Sequence, residues 1–298
     1  MAVTIQNRSE LANTLRAYLE LTKVRIVLLL IFTTVTAMVI AADGVPPLSI
    51  LLPTLIGGIL APAGSGAINQ YLDRDLDARM ARTARRPIPS GRVTPQNALL
   101  YGLTLIAVGV MILGFWVNWL TAGLALAGSL YYVVLYTLVL KRNTSVNIVI
   151  GGGAGAIPVL VGWAAVTGSL SIEAWLLFGI VFYWTPPHSW TLAILVNTDY
   201  ARAGVPMMPV ARGLKSTYWQ ILLYSILLLL LSLVPALMGG SLGMVYGVSA
   251  LVLGLGLVAM TIRLMRVSTK AMARTAYKYS TFYLALLFLA MLVDVAVR

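Results

Sequence analysis

The sequence contains no cysteine and only one histidine among its 298 residues. Disulfide bonds, thiolate metal sites and a cysteine nucleophile are therefore excluded, and so is a metal site built from several histidines. Any metal that this chain binds must take mostly oxygen ligands, which is the ligand set that Mg²⁺ prefers.

Charged residues are also scarce: they make up 10% of the chain, whereas soluble domains carry about 25%. Hydrophobic residues make up 60%. This composition predicts an all-α, polytopic membrane protein. The formal net charge of +12 is then best explained by membrane topology and contact with anionic lipid, so the lipid membrane is an expected partner and nucleic acid is not.

Long apolar runs recur along the chain, each with roughly the 20 residues that a helix needs to cross a hydrocarbon core. We expect about nine transmembrane helices in a single intramembrane domain, residues 24–298. The predicted spans are 24–42, 48–72, 97–117, 119–140, 146–166, 172–196, 218–238, 242–263 and 279–297.

The segment before the first span, residues 1–25, is polar and predicts a cytosolic or interfacial lead-in without a cleavable signal peptide. Leu11, Leu15, Tyr18, Leu19 and Leu21 form an apolar stripe at helical spacing. Such a stripe predicts a short amphipathic helix that lies on the membrane surface.

The positions of the basic residues predict the topology. All 21 lysines and arginines except Arg298 fall in the lead-in or in alternate loops. The positive-inside rule then places the N-terminus in the cytoplasm, together with the two long loops 74–96 and 197–217. The expected location is the inner membrane of a bacterial-type cell.

The densest polar constellation lies where the second span ends. Asn69, Asp73 and Asp77 are spaced four apart, so they share one face of a helix. Carboxylate and amide oxygens can hold Mg²⁺, which in turn binds substrate phosphates. Arginines, among them Arg82 and Arg86, follow at once and can grip the remaining phosphate oxygens. We therefore predict a magnesium–diphosphate site at the membrane surface.

Four further residues are candidates with an equally simple structural explanation. Asp199 in the second loop could bind a second Mg²⁺ or position substrate, but it could also be a helix cap or a loop ion pair. Lys141 is explained by the positive-inside rule, although a diphosphate contact is possible. His188 lies in Trp184-Thr185-Pro186-Pro187-His188-Ser189-Trp190, where the prolines are expected to break the helix. His188 could contact a substrate or heme, or it could be a hydrogen-bonded core residue. Tyr200 could shield a cation or lie at the interface.

These residues resemble a known family. Asn69-x-x-x-Asp73-x-x-x-Asp77 is similar to the first aspartate-rich motif of the UbiA-type intramembrane prenyltransferases, and Arg82-Thr83-x-x-Arg86-Pro87 resembles their heme O synthase (protoheme IX farnesyltransferase) branch. Stretches that resemble the same branch are Leu21-Thr22-Lys23-x-Arg25, Leu140-Lys141-Arg142-x-Thr144-x-x-Asn147, Gly162-Trp163-Ala164-Ala165-Val166-Thr167-Gly168 and Asp199-Tyr200-x-x-Ala203-Gly204-x-Pro206-Met207-x-Pro209.

The resemblance implies transfer of a farnesyl group from farnesyl diphosphate to a vinyl group of heme b. It implies Mg²⁺ on Asn69, Asp73 and Asp77 and diphosphate contacts from Arg82, Arg86, Lys141 and Lys215, with Asp199 and Tyr200 in the second-loop site. His188 is then the candidate heme contact, and assembly factors of a heme-copper oxidase are logical partners.

Two other functions stay open from the sequence. A prenyltransferase that acts on a quinone or chlorophyll precursor would keep the first motif. A membrane transporter would explain polar residues and prolines inside the spans, although it would not explain a charged cluster at the membrane surface.

Overall fold

The computed structural model describes residues 2–298, with side chains from Glu10 onward, and this part of the chain is helical without any strand. It contains fourteen α-helices and one π-helix, Tyr131–Leu140. The α-helices are α1 Ala2–Leu21, α2 Val24–Ala41, α3 Leu48–Leu72, α4 Arg74–Arg79, α5 Pro95–Trp116, α6 Trp119–Leu130, α7 Lys141–Asn143, α8 Asn147–Thr167, α9 Ile172–Leu195, α10 Asn197–Ala203, α11 Met208–Ala211, α12 Gly213–Leu237, α13 Met244–Val267 and α14 Lys270–Val297.

Eight segments in the described part of the chain are long and apolar enough to cross a membrane. They are α2, α3, α5, the continuous segment Trp119–Asn143, α8, α12, α13 and α14. These eight correspond to eight of the nine predicted spans. The remaining predicted span is α9, which has 24 residues but is not among the eight, so the count of nine stays a prediction. The chain is an integral membrane protein of helical class.

Helix α8 is the most enclosed of the eight spans, because 67% of the residues in its most apolar stretch are buried. Its contact with α2 depends on Gly162, because a Cβ atom there would lie 2.2 Å from the backbone oxygen of Thr34. Close approach of backbones at small residues is the usual way in which membrane helices pack. The main core cluster gathers side chains from α2, α8, α9, α12, α13 and α14, including Trp184, Tyr246 and Phe288.

One local expectation from the sequence is wrong, and two segments contain more helix than the span bounds alone predict. The prolines Pro186 and Pro187 do not break α9, which is continuous around them, as membrane helices tolerate proline where neighbouring helices pack against them. Loop 197–217 contains α10, α11 and the start of α12. Helix α14 begins at Lys270, before the predicted span 279–297.

The amphipathic helix predicted in the lead-in is present as α1, but its apolar stripe divides into two faces. Leu11, Leu15 and Leu19 are exposed, at 61%, 57% and 58%. Leu21 is fully buried, and Tyr18 packs beside it against the start of α5. The three exposed leucines are each four residues apart and therefore form one outward row.

Candidate active site

The predicted common face of Asn69, Asp73 and Asp77 is present although the helix is interrupted. Helix α3 ends at Leu72 and α4 starts at Arg74, with Asp73 between them. The amide of Asp73 still donates to the carbonyl of Asn69 at 2.9 Å, and that of Asp77 to the carbonyl of Asp73 at 2.8 Å. These two bonds keep the helical spacing, so the three side chains point the same way. All three are at least 97% buried.

The Asn69 side chain is held by three neighbours. Its amide nitrogen donates to Asp73 Oδ2 at 2.9 Å and to Thr137 Oγ1 at 3.0 Å. Its oxygen accepts from Lys23 Nζ, which also donates to the hydroxyl of Tyr132 at 3.1 Å. Desolvation, followed by the nearby positive charge of Arg86, lowers the pKa of Lys23 to about 7.

Asp73 is completely buried and is paired with basic groups that follow the π-helix. Lys141 Nζ donates to its Oδ2, and the guanidinium of Arg142 lies 3.7 Å from Oδ1. Oδ1 itself accepts no hydrogen bond from the described residues. A buried carboxylate oxygen without a donor is costly unless something else binds it.

Asp77 forms an ion pair with Arg86, whose Nη1 lies 2.9 Å and 2.7 Å from the two carboxylate oxygens. The intervening chain folds back in successive turns, and the hydroxyl of Thr83 donates to the backbone oxygen of Asp77 at 2.9 Å. The threonine of the Arg-Thr-x-x-Arg motif thus fixes the turn that returns its second arginine to the site.

The π-helix supplies two of these contacts, Thr137 and, just after its last residue, Lys141. Such helices are rare and often occur at functional sites. It is accommodated by the glycines of α8: a Cβ atom on Gly151 would lie 2.3 Å from the ring of Tyr136, and one on Gly153 would lie 2.9 Å from Tyr131. These glycines therefore allow α8 to pack closely against the π-helix.

Loop 197–217 lies next to loop 74–96 in the structure. Helix α10 packs against α4, and Leu76 of α4 and Met80, which follows the helix, share an apolar cluster with residues around Tyr200. Burial raises the pKa of Tyr200, while the positive charges of Arg82 and Arg86 act in the opposite direction. The positive charges of the site therefore influence the hydroxyl group of Tyr200. Asp199 makes a weak ion pair with exposed Arg202, at 3.9 Å.

Two predicted diphosphate contacts lie outside the buried cluster. Arg82 is exposed beside it. Lys215 is exposed in the first turn of α12. Neither makes a hydrogen bond or ion pair with another side chain from Glu10 onward, and neither contacts the carboxylates.

His188 lies away from the carboxylates, on the inner face of α9. Its ring stacks on Trp184, with centroids 4.3 Å apart, and against Tyr277 at 4.7 Å. Nδ1 is 2.9 Å from the hydroxyl of Ser280. Among the side chains that the structure describes, none hydrogen-bonds to Nε2. This half-buried ring is held in one orientation with its second nitrogen available.

Sequence reasoning did not assign three residues of this site: Lys23, Tyr132 and Thr137. The resemblance included Lys23, in Leu21-Thr22-Lys23, but gave it no role. Nothing in the local pattern distinguishes Thr137 or Tyr132 from the other polar residues of an apolar helix. Their contacts with Asn69 and Lys23 depend on tertiary packing.

The donor set fits a hard divalent cation. Three residues on this face carry five side-chain oxygens, two from each carboxylate and one from Asn69, and Asp73 Oδ1 has no donor. No group of three His, Cys, Asp or Glu side chains suited to a metal occurs in the part of the chain that is described. A metal here would therefore need the amide oxygen of Asn69 as its third ligand, in agreement with the spacing of the motif.

Comparison with known sequences gives long matches at high identity. A protein from Roseiflexus castenholzii named protoheme IX farnesyltransferase is 54% identical over 283 residues, which cover 95% of this chain and 53% of that protein. A protein of the same name from Symbiobacterium thermophilum is 49% identical over 297 residues, which cover 99% of both chains. The chain thus spans about half the length of the relative from Roseiflexus and nearly all of the other.

The fold is also shared with solved structures of low sequence identity. A structure from a study of digeranylgeranylglyceryl phosphate synthase has a TM-score of 0.79 at 19% identity, and it covers 95% of this chain and 98% of that one. A UbiA homologue from Archaeoglobus fulgidus, bound to DMAPP and Mg²⁺, has a TM-score of 0.66 at 17% identity over 92% and 98% of the two chains. Residues 30–292 match the UbiA prenyltransferase family, and the chain belongs to that family.

Proposed function

We propose that this protein transfers the farnesyl group of farnesyl diphosphate to a vinyl group of heme b, giving heme O and diphosphate. The C1–O bond to the diphosphate breaks with its electron pair on oxygen, and the vinyl π electrons form the new bond to C1. Water then captures the cation on the porphyrin side and loses a proton. These steps account for every atom of the hydroxyethylfarnesyl product.

The observation that carries this proposal is the buried cluster of Asn69, Asp73 and Asp77 surrounded by cationic side chains. An all-apolar helical bundle has no structural need for two buried carboxylates at one end, because charges inside a membrane protein are expensive. The relatives at about 50% identity, which are named protoheme IX farnesyltransferase, support farnesyl diphosphate and heme as the two substrates.

Magnesium is the metal that we propose for the three oxygen-bearing side chains, with the Mg²⁺-bound homologue from Archaeoglobus fulgidus as support. When bound, it would neutralise negative charge on the leaving diphosphate. Arg86 and Lys141 already lie at the carboxylates and carry the positive charge that a diphosphate needs. Arg82 and Lys215 would have to turn inward to contribute, and Asp199 and Tyr200 close the site from the second loop.

Heme binding is assigned to the neighbourhood of His188. The stacked Trp184, His188 and Tyr277 rings form an aromatic wall, and Nε2 can bind iron or a propionate. The site is proposed to face the cytoplasm, since the basic residues around it follow the positive-inside rule. The inner membrane is the proposed location, with heme-copper oxidase assembly factors as the proposed recipients of heme O.

A turnover assay tests the proposal. Purified protein in nanodiscs receives Mg²⁺, farnesyl diphosphate and heme b, and products are identified by mass. The expected product is heme b plus the farnesyl group and one water, and omission of Mg²⁺ should abolish it. Asp73→Ala and Asp77→Ala are expected to abolish turnover in a folded protein. Asp75→Asn is the matched control, because Asp75 lies between them on α4 but is exposed.

The alternatives give different results in the same assay. Diphosphate release with an aromatic acceptor, but no heme product, would indicate a prenyltransferase for quinone precursors. Substrate flux into vesicles without any diphosphate release would indicate a transporter. Near-normal turnover in both alanine variants would refute the assigned metal site.

A further inference from the structure

Gln70, the neighbour of Asn69 in the sequence, joins the catalytic helix to α1. Its side chain is 99% buried, and it does not contact the carboxylates. Instead, Nε2 donates two hydrogen bonds of 3.1 Å, to the backbone oxygens of Glu20 and Leu21. The residue therefore turns away from the site face, toward the end of the amphipathic helix.

The two accepting carbonyls belong to the last turn of α1, where backbone oxygens have no partner within the helix. One glutamine thus caps the C-terminus of α1 from another helix. The two backbones approach closely at this point, because a Cβ atom on Gly66 would lie 3.3 Å from the oxygen of Leu21. A larger residue at position 66 would push α1 away from α3.

The chain that leaves this junction leads directly to the site. Lys23 follows α1 in a left-handed conformation, with φ of 55°, which is unusual for a residue with a side chain. In that conformation its Nζ reaches Asn69 Oδ1. The hydrogen bonds of Gln70 lie only two and three residues before Lys23, so they fix the point from which the lysine side chain extends.

We propose that Gln70 is a positioning residue: it clasps the end of α1 to α3 and so holds Lys23 against the amide oxygen of Asn69. This inference rests on the proposed function, in which that oxygen is a metal ligand. Losing the clasp should free Lys23 from its place and leave Asn69 without the partner that orients its oxygen. Side chains that orient a metal ligand affect metal affinity without touching the metal.

The clasp also connects the site to the membrane surface. The outward row Leu11, Leu15 and Leu19 lies on the same helix whose last turn Gln70 caps. Any shift of α1 in the lipid interface would act on Lys23 through this junction. A buried glutamine that merely filled space would not need two backbone acceptors on a different helix.

The absence of cysteine permits a direct test of the clasp. Spin labels are placed at Leu15→Cys on α1 and Leu100→Cys on α5, two exposed positions, and their distance is measured by pulsed electron paramagnetic resonance. We expect one narrow distance in the parent protein and a broad distribution in Gln70→Leu. Gln70→Met, which has nearly the same length but cannot donate, should behave alike and serves if the leucine variant does not fold.

Ser65→Ala is the matched control, since Ser65 is buried in α3 and bonds only within that helix. Its distance distribution should stay narrow. The second measurement is the Mg²⁺ concentration that gives half-maximal binding of a non-hydrolysable farnesyl diphosphate analogue. We expect it to rise about tenfold in Gln70→Leu, the lower end for losing a residue that orients a metal ligand, and to stay unchanged in Ser65→Ala.

The outcomes distinguish the structural role of Gln70, which is to hold α1 against α3, from its effect on Mg²⁺ binding. An unchanged distance in both Gln70 variants would overturn the clasp. A broadened distance with an unchanged Mg²⁺ requirement would overturn the positioning role and leave Gln70 as a purely structural cap. If the parent protein bound no prenyl diphosphate, the proposed function would fail, and the spin-label distances alone would decide whether Gln70 holds α1.

Discussion

Replacing Lys141 by methionine should destabilise the protein, because it leaves the carboxylate of Asp73 without its main counter-charge. Asp73 is fully buried and the Lys141 side chain is 12% exposed. Removing one partner of a buried ion pair costs about 3–5 kcal/mol. Arg142, 3.7 Å away, remains as a weaker partner, so we expect about 3 kcal/mol, at the lower end of that range. This corresponds to roughly a hundredfold change in the unfolding equilibrium.

A double-mutant cycle shows whether this cost comes from the unpaired charge. Lys141→Met, Asp73→Asn and the double variant are unfolded reversibly by denaturant in detergent micelles. The double variant should be more stable than Lys141→Met alone, with a coupling energy of about 2 kcal/mol. It should nevertheless be inactive in the prenyl-transfer assay, because the asparagine cannot replace the carboxylate as a charged metal ligand.

Two results would contradict this reasoning. If Lys141→Met unfolded at the same denaturant concentration as the parent, the pair would contribute nothing to stability. If the coupling energy were near zero, the lysine would be acting through its packing and not through its charge. Recovery of turnover in the double variant would show that the Asp73 carboxylate is dispensable for the chemistry.

Three other predictions follow from the packing and the charges. Gly162→Ala should destabilise the bundle by about 1–3 kcal/mol, the usual cost of overpacking. Gly155→Ala in the same helix should leave the stability unchanged, because a Cβ atom there meets nothing within 4 Å. Denaturant unfolding of the two variants measures the difference. His188→Gln should lose heme binding, followed by the heme absorption spectrum, while prenyl diphosphate binding stays unchanged. The hydrogen bond from Arg92 lowers the pKa of Glu20 below its ordinary 4.5. This pair therefore supports α1 above that pH and loses its effect as the pH falls through the lowered value. The protection factors of the α1 amides, which correct hydrogen exchange for its intrinsic rate at each pH, should then fall at low pH.

The sequence predicted the features that depend on local spacing. The long apolar runs gave the helical class and most helix bounds, because burial in lipid requires a minimum apolar length. The common face of Asn69, Asp73 and Asp77 followed from spacing by four, and two backbone hydrogen bonds preserve it across the break at Asp73. That the break would fall there was not predictable, since the motif reads as one uninterrupted helix.

Contacts between distant segments could not be predicted in the same way. Thr137 and Lys141 reach the site only because the preceding turns form a π-helix, and the run from Tyr131 to Leu140 has the same apolar composition as an α-helical span. Lys23 reaches Asn69 because α1 ends against α3 at Gln70. Neither contact produces a periodic pattern in the sequence, because each depends on how two helices pack together.

The charges of the site are balanced by cations that come from different parts of the chain. Asn69 is bonded by Lys23 from the junction of α1 and α2, Asp73 by Lys141 from the end of the π-helix, and Asp77 by Arg86 from the first loop. Only loop 74–96 carries both members of a pair, Asp77 and Arg86. Under the proposed function, Mg²⁺ would take over the carboxylate oxygens, and the released Lys141 and Arg86 would already lie beside the place that the diphosphate must occupy, while Lys23 would continue to orient the oxygen of Asn69. The same side chains that make two buried carboxylates tolerable without metal would therefore bind the substrate once metal is present, which explains why the site can be both buried and highly charged.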